Sequence, residues 1–332
     1  MTDDTTAMKS IVQDDYGTAP DDVLRLAEIA RPTIGDDEIL VRVRAASVDR
    51  GTWHVMTGLP YAIRAAGFGL RRPKSTNPGR SLAGTVEAVG KDVSELEPGD
   101  EVFGIGDSTF AEYARAPGSK LAPKPANLTF EEAAAIPISG LTALQGLRDR
   151  GRVEAGQKVL IVGASGGVGT FAVQLARAFG AEVTGVCSTT KVEMVRSIGA
   201  DHVIDYTRDD FAEGEQRYDV ILDIGGNSSL SRLRRALTPK GTLVIAGGET
   251  DGRWLGGADR QIRALLLSPL VGQKLTTFVC KENHEDLLVL GELIEAGKIT
   301  PVIDQTYPLS ETPAAIRYLQ EGHARGKIVI AV

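Results

Sequence analysis

A short apolar run, Val159-Leu160-Ile161-Val162, breaks into small residues at Gly163-Ala164-Ser165-Gly166-Gly167-Val168-Gly169 and resumes as Thr170 through Phe179. The run is largely β-branched, as suits a strand buried on both faces of a parallel sheet. After the break the apolar residues take helical spacing, with Val168, Phe171, Ala172, Leu175, Ala176 and Phe179 on one face. Strand, tight turn and helix make half of a βαβ unit, so the neighbouring chain must supply further strands and helices in alternation.

The small residues have physical work in such a turn. A chain that leaves a strand and enters a helix at once is expected to need permissive backbone angles at Gly166 and Gly167, while a side chain at Gly169 would hold helix and strand apart. Ala164 stands where the commonest Gly-x-Gly-x-x-Gly pattern has its first glycine. The helix start leaves backbone N–H groups at a positive dipole end, which suits a pyrophosphate. About twenty residues on, an acid would grip a ribose 2′-hydroxyl. Here the second strand, Glu182 to Cys187, ends on Cys187 and runs into Ser188-Thr189-Thr190-Lys191. With no carboxylate to repel a 2′-phosphate, and Ser188, Thr189 and Lys191 able to bind one, the expected cofactor is NADP(H).

The 332 residues allow two domains, and 42% hydrophobic composition is ample for packed cores. The net charge of −7 argues against a nucleic-acid partner. No stretch approaches a membrane span, and Met1 to Thr6 lack the apolar core of a signal sequence. Two cysteines, Cys187 and Cys280, make neither a disulfide framework nor a four-thiolate zinc site, so a cytoplasmic location is expected.

From Met8 to about Pro125 the signals are β: Ile39, Val41 and Val43 alternate with Leu40, Arg42 and Arg44, and Gly84 to Gly90 reads as another strand. Glu97-Pro98-Gly99-Asp100 is a turn, and short strands joined by such turns suggest a small barrel. From Thr129 helices follow, over Phe130 to Ile136 and Ser139 to about Arg148. Strands at 158–162, 182–187, 202–204, 219–224, 242–246 and 275–280 then alternate with helices, the pattern of a doubly wound sheet. A helix near 285–296 and strands at 303–307 and 327–330 follow, the last two placed to return to the first domain.

With these residues in hand the sequence resembles the medium-chain dehydrogenase/reductase superfamily, in its zinc-independent NADPH:quinone oxidoreductase branch. The resemblance rests on Ala45-Ala46-Ser47-Val48-Asp49, Pro98 to Phe103, Leu141 to Leu144, the Gly163–Gly169 turn, Gly199 to Tyr206 and Gly322 to Lys327. It implies an α/β chain in which a Rossmann doubly wound parallel sheet is joined to a GroES-like β-barrel domain, with the nicotinamide in the cleft between them. The domains would be 1–125, the first part of the GroES-like catalytic domain; 126–282, the Rossmann NADP-binding domain; and 283–332, the return segment of the catalytic domain. Carried over, Ser165, Gly166, Gly167 and Val168 bind the pyrophosphate, Ser188 and Lys191 the 2′-phosphate, and Tyr206 the adenosine side. Thr142 matches the residue beside the carboxamide, and Phe278, His323, Ala324 and Arg325 match positions that line the cofactor. Ordinary core packing is the competing reading for Tyr206 and Phe278.

Zinc relatives carry a cysteine and a histidine-glutamate pair where this chain reads Ser47-Val48-Asp49-Arg50 and Pro78-Gly79-Arg80-Ser81, so no metal site is expected. His54, His202, His284 and His323 lack ligand spacing and are expected to be surface or locally bonded. The candidate catalytic residues are Asp49, Trp53 and Tyr61: Tyr61 to donate a proton, Trp53 to form an apolar wall, Asp49 to orient solvent or substrate. The branch commonly has asparagine-proline where this chain has Asp49-Arg50, and a carboxylate cannot donate to an oxyanion unless protonated. The alternative for Asp49 is a partner in shaping its loop. Arg71-Arg72-Pro73-Lys74, with Arg80 near, is either an attractor of anions or a solvated loop, the second being favoured.

The leading functional expectation is NADPH-dependent hydride transfer to a small-molecule electrophilic acceptor, a quinone or an α,β-unsaturated carbonyl compound. The alternatives are an enoyl-thioester reductase and a non-catalytic NADPH-binding interaction protein. Residues 274–280, as the last strand of the open sheet, offer an edge through which a homodimer could form.

Overall fold

The computed structural model describes residues 7–247 and 252–332. The chain divides into two compact units: Met1–Ile138 with Glu282–Glu295 and Pro301–Val332, and Ser139–Lys281 with Ala296–Thr300. The first boundary falls later than the expected 125/126. The reason is the short helix Phe130–Ala134, which packs on strands Glu38–Val48 and Ser81–Val89 and so stays with the β structure.

In the first unit, strands lie in the order Ile303–Pro308, Lys327–Ala331, Glu38–Val48, Ser81–Val89, Glu101–Ile105 and Leu121–Pro123. Strand Glu38–Val48 is long enough to serve two partners on one side. Its first half, Glu38 to Arg42, pairs with Tyr113–Pro117, and its second half, Ala45 to Val48, pairs with Lys327–Ala331. That splitting curls the sheet into the expected GroES-like arrangement, with Ile39, Val41, Val43, Leu82, Val86, Val102 and Leu121 packed inside. Both late strands return to this unit as expected. A separate antiparallel pair, Ala7–Gln13 with Leu24–Ala30, adds a second cluster with Met56, Phe110, Ile328 and Ile330.

The second unit is the doubly wound sheet. Six parallel strands lie in the order His202–Asp205, Glu182–Cys187, Lys158–Val162, Tyr218–Asp223, Leu237–Ile245 and Lys274–Thr277. Chain order reverses between Lys158–Val162 and Tyr218–Asp223, and open sheets of this kind take ligands at the carboxyl ends of the strands beside such a reversal. Among the strands of this sheet, two boundaries move by more than one residue. The strand expected to begin at Thr242 begins at Leu237, and the last strand ends at Thr277 rather than Cys280, leaving Phe278 just beyond it.

Candidate functional site

The turn after Lys158–Val162 carries out the tight entry expected of it, but through a different glycine. Gly163 holds the left-handed backbone, at φ +89°, whereas Gly166 lies at an ordinary φ of −85° as the N-cap of helix Gly167–Ala178. The expectation placed the permissive angles at Gly166 and Gly167; the chain reverses three residues earlier, directly at the strand end. Gly169 has the role assigned to it, since a Cβ there would lie 2.1 Å from the Gly163 carbonyl oxygen. No side chain caps this helix, so its first N–H groups face outward beside Ser165, which is buried, and Gly166, Gly167 and Val168, which are partly exposed. Such a bare helix start is a cradle for a diphosphate.

The next strands bring a second group of expected residues to the same edge of the sheet. Ser188 and Lys191 follow strand Glu182–Cys187, and Tyr206, 58% exposed, follows His202–Asp205. Its exposure removes the core-packing alternative for Tyr206. Sequence reasoning does not single out Asp205, which lies within the Gly199 to Tyr206 stretch. In register Asp205 lies opposite Cys187, the residue at the ribose-selecting position. Its carboxylate accepts from the Thr189 hydroxyl at 2.5 Å, from the Thr207 hydroxyl at 2.8 Å and from the Thr207 amide at 3.0 Å, with the Arg208 guanidinium 3.6 Å away. The Thr189 hydroxyl, ahead of those of Thr207, holds the carboxyl below the usual range against the opposing effect of burial. A hydroxyl has one proton to give. Thr189, expected to meet a phosphate, therefore spends its proton on Asp205. Cys187 is no anion: burial, then the nearby Asp205 charge, pushes its thiol up to about 11.

Thr142 sits half-buried on helix Pro137–Gln145, and Phe278 lies against Gly146 with the Arg150 guanidinium 5.9 Å from its ring centre. The packing reading accounts for these contacts of Phe278.

In the first unit Asp49 is the N-cap of helix Arg50–Thr57. Its Oδ1 accepts from the Thr52 amide at 3.1 Å, and the Thr52 hydroxyl is 3.4 Å from the Asp49 amide, a closed capping box. This is the loop-shaping role, carried out through backbone donors. The other carboxylate oxygen, Oδ2, is buried and makes no hydrogen bond within the protein. The same is true of Ser47 Oγ, Trp53 Nε1, Arg80 Nε and Ser81 Oγ. Ser47 and Ser81 are register partners, so two of these orphaned polar atoms lie opposite each other, with Asp49 and Arg80 near them in sequence. Buried polar groups are nearly always bonded, and a cluster that is not marks a place built to receive a polar molecule. Trp53 stacks edge-on against His54 at 5.1 Å, and Tyr61, on the neighbouring short helix, has the Arg64 guanidinium 4.8 Å from its ring. His323, Ala324 and Arg325 form the loop entering strand Lys327–Ala331, with the Arg325 amide donating to Asp304 at 3.0 Å.

Lys327 is the second residue that sequence reasoning passed over. It is 2% exposed, and its Nζ donates to the Val48 carbonyl at 3.1 Å. Pairing of Ile328 with Val48 sets Lys327 opposite Asp49. Burial pushes the lysine down, and the Asp49 charge works against that shift. The signal was present: a lysine heading the apolar run Ile328-Val329-Ile330 must find a partner indoors.

The donor set does not fit a zinc ion. Ser47, Asp49, Arg80 and Ser81 offer two hydroxyls, one carboxylate and a guanidinium where three good ligands are needed. Among the described residues no three His, Cys, Asp or Glu side chains gather. His54 bonds to the Leu59 carbonyl, His202 to Glu182 and His284 to the Leu121 carbonyl, while His323 is exposed. The basic loop divides: Arg72 pairs with Asp15 at the surface, and Lys74 lines a cavity of about 570 Å³ with Arg80, Arg115, Phe68 and Tyr113.

Residues 35–126 match the family described as alcohol dehydrogenase GroES-like domain, and residues 198–330 the one described as zinc-binding dehydrogenase. The mouse (Mus musculus) protein named NAD(P)H oxidoreductase RTN4IP1, mitochondrial, is 34% identical over 99% of this chain and 90% of its own length. The NADPH-dependent alkenal/one oxidoreductase, chloroplastic, of Arabidopsis thaliana is 34% identical over 97% of this chain and 79% of that protein. Among solved structures, the quinone oxidoreductase from Coxiella burnetii superposes with a TM-score of 0.84 at 29% identity, covering 98% of this chain and all of that one. Glycine turn, doubly wound sheet, GroES-like β structure and end-to-end relatives converge: the chain belongs to the medium-chain dehydrogenase/reductase superfamily, in its quinone oxidoreductase branch.

Proposed function

We propose that the protein is a reductase of quinones or α,β-unsaturated carbonyl compounds that draws hydride from NADPH. A nicotinamide cofactor is what the named relatives use, and the second unit is built to hold one. The single observation that carries the proposal is the helix Gly167–Ala178, whose N-terminus lies behind a glycine turn with no side chain of its own to cap it. Ser188 and Lys191 at the end of the neighbouring strand favour the 2′-phosphorylated form, with Tyr206 against the adenosine.

When bound, the reduced nicotinamide supplies the hydride. What this chain supplies is position and charge. Negative charge develops on the oxygen of a quinone or enone as the hydride arrives, and a fixed donor stabilises it most in a site that excludes water. Trp53 Nε1–H, buried without an acceptor, is assigned to that oxygen, and the Tyr61 hydroxyl to the proton that completes reduction. Asp49 Oδ2, buried and unbonded within the protein, is assigned to accept from a hydroxyl or water, since a carboxylate cannot donate to an oxyanion. The buried Lys327 ammonium behind it offsets its charge.

Steady-state assay with NADPH and a panel of quinones, enones and alkenals tests the proposal; cofactor binding without turnover on any acceptor overturns the catalytic part. Trp53→Phe is expected to lower kcat roughly a hundredfold to a thousandfold, as loss of one charge-stabilising donor does.

Two further properties suit this reading. With Cys187 and Cys280 not joined in a disulfide, a reducing, cytoplasmic setting suits the chain. The edge strand Lys274–Thr277, flanked by exposed Leu265, Leu266, Leu270 and Val279, suits a homodimer, which sedimentation equilibrium would detect.

A further inference from the structure

We propose that Asp205 is the residue that sets how strongly this protein prefers the phosphorylated dinucleotide, by placing a negative charge one strand away from the ribose and by withholding the Thr189 proton. The inference rests on the proposed NADPH reading and deepens it.

The position that usually carries a ribose-gripping acid is Cys187, and its thiol stays neutral. Adjacent strands of a sheet lie about 4.8 Å apart, so the register partner of Cys187 is the next nearest place for a carboxylate. That partner is Asp205. It is 9% exposed at the carboxyl end of its strand, the edge at which Ser188, Lys191 and Tyr206 also lie. An anion there works against a phosphate at the 2′ position through space.

The hydrogen bonds add a second effect in the same direction. Thr189 is in the turn that presents Ser188 and Lys191, and its hydroxyl is bound to Asp205 Oδ2 at 2.5 Å. Thr207 gives both its hydroxyl and its amide protons to Oδ1. Two hydroxyls that lie at the edge of the phosphate-binding turn are thus turned inward as donors and leave only lone pairs outward. Arg208, itself exposed, offsets part of the charge as a cation at 3.6 Å. The chain therefore lacks the acid that would select the unphosphorylated dinucleotide outright, yet keeps one close enough to temper the opposite choice.

The substitution Asp205→Asn separates these effects from folding. Asparagine has the same shape and still accepts from the Thr207 amide, while its new amide donor faces Thr189 and frees that hydroxyl to donate outward. Calorimetric titration with NADPH and NADH is the readout, with turnover as a second measure. Asp205→Asn is expected to tighten NADPH binding about tenfold and to change NADH binding less than twofold, so that the ratio of the two Kd values shifts by about that factor. A ratio unchanged within twofold, or shifted toward NADH, overturns the inference.

Lys191→Ala serves as the separate check on the underlying reading. It is expected to weaken NADPH about tenfold and spare NADH; if the wild type shows no preference and Lys191→Ala alters neither, it is the phosphate reading that fails. Should Asp205→Asn not fold, Thr189→Val is used. Removing that donor leaves the carboxylate less neutralised, so NADPH binding weakens about threefold relative to NADH, and an unchanged or tightened ratio overturns the role given to Asp205.

Discussion

Two strand-to-helix junctions in this molecule are built in opposite ways. After Lys158–Val162 the helix begins on Gly166, with no side chain over its N-terminus. After Glu38–Val48 it begins on Asp49, whose carboxylate and Thr52 partner close a capping box. Both helix starts present backbone N–H groups that need an acceptor. The second provides its own, while the first leaves the place for an acceptor from outside. A helix end capped by glycine instead of a side-chain acceptor gives up only a few tenths of a kcal/mol, and a diphosphate that brings its own charge recovers it.

The contrast can be broken most violently at Gly169. A Cβ there meets the Gly163 carbonyl oxygen at 2.1 Å, backbone against backbone. Gly169→Ala is expected to abolish detectable dinucleotide binding by calorimetry and to cost roughly 1–3 kcal/mol in urea unfolding. Gly166→Asp is sharper, because space is available: the nearest atom to a Cβ at 166 is 3.6 Å away. It converts the first junction into a copy of the second. The cofactor Kd should weaken about a hundredfold while the melting temperature holds or rises slightly, as a cap gain of a few tenths of a kcal/mol over glycine predicts. Binding and stability moving together in this variant would refute the account of the bare helix.

The converse substitution, Asp49→Ala, opens the closed junction. It is expected to cost about 1–2 kcal/mol of stability by losing the cap, with no more than a twofold change in dinucleotide Kd. The smallest effect concerns the lysine behind that cap. Burial lowers the Lys327 pKa in the folded state, so between that value and the ordinary lysine value the unfolded chain holds more protons. Its contribution to stability therefore grows as pH rises through that window. Urea midpoints for the wild type and Lys327→Met, measured from neutral pH to pH 10 or so, should diverge in favour of the wild type; parallel curves would show that the ammonium is fully compensated.

Most of the parallel sheet was legible because its signal is local: buried β-branched runs alternate with helical spacing from Lys158 to Thr277, and each period reads without its neighbours. The ends were harder. The last strand stops at Thr277 although Phe278-Val279-Cys280 continue the apolar run, since pairing with Thr242 to Ile245 runs out there. Strand Leu237–Ile245 runs through Pro239 and Gly241, which by themselves read as a turn. Among site residues, those on the glycine turn were readable from spacing. Asp205 and Lys327 were not, because each matters through a register partner far along the chain, Cys187 and the Val48–Asp49 junction.

Strand Glu38–Val48 waits for a partner that lies near the far end of the sequence. A ribosome delivers every strand of the parallel sheet before it delivers Lys327–Ala331, so the later-encoded unit can mature while the earlier one still has an open seam. Chaperone demand during synthesis should therefore fall on the amino-terminal β structure, and a release experiment with chains halted shortly before Lys327 should find protease sensitivity concentrated there.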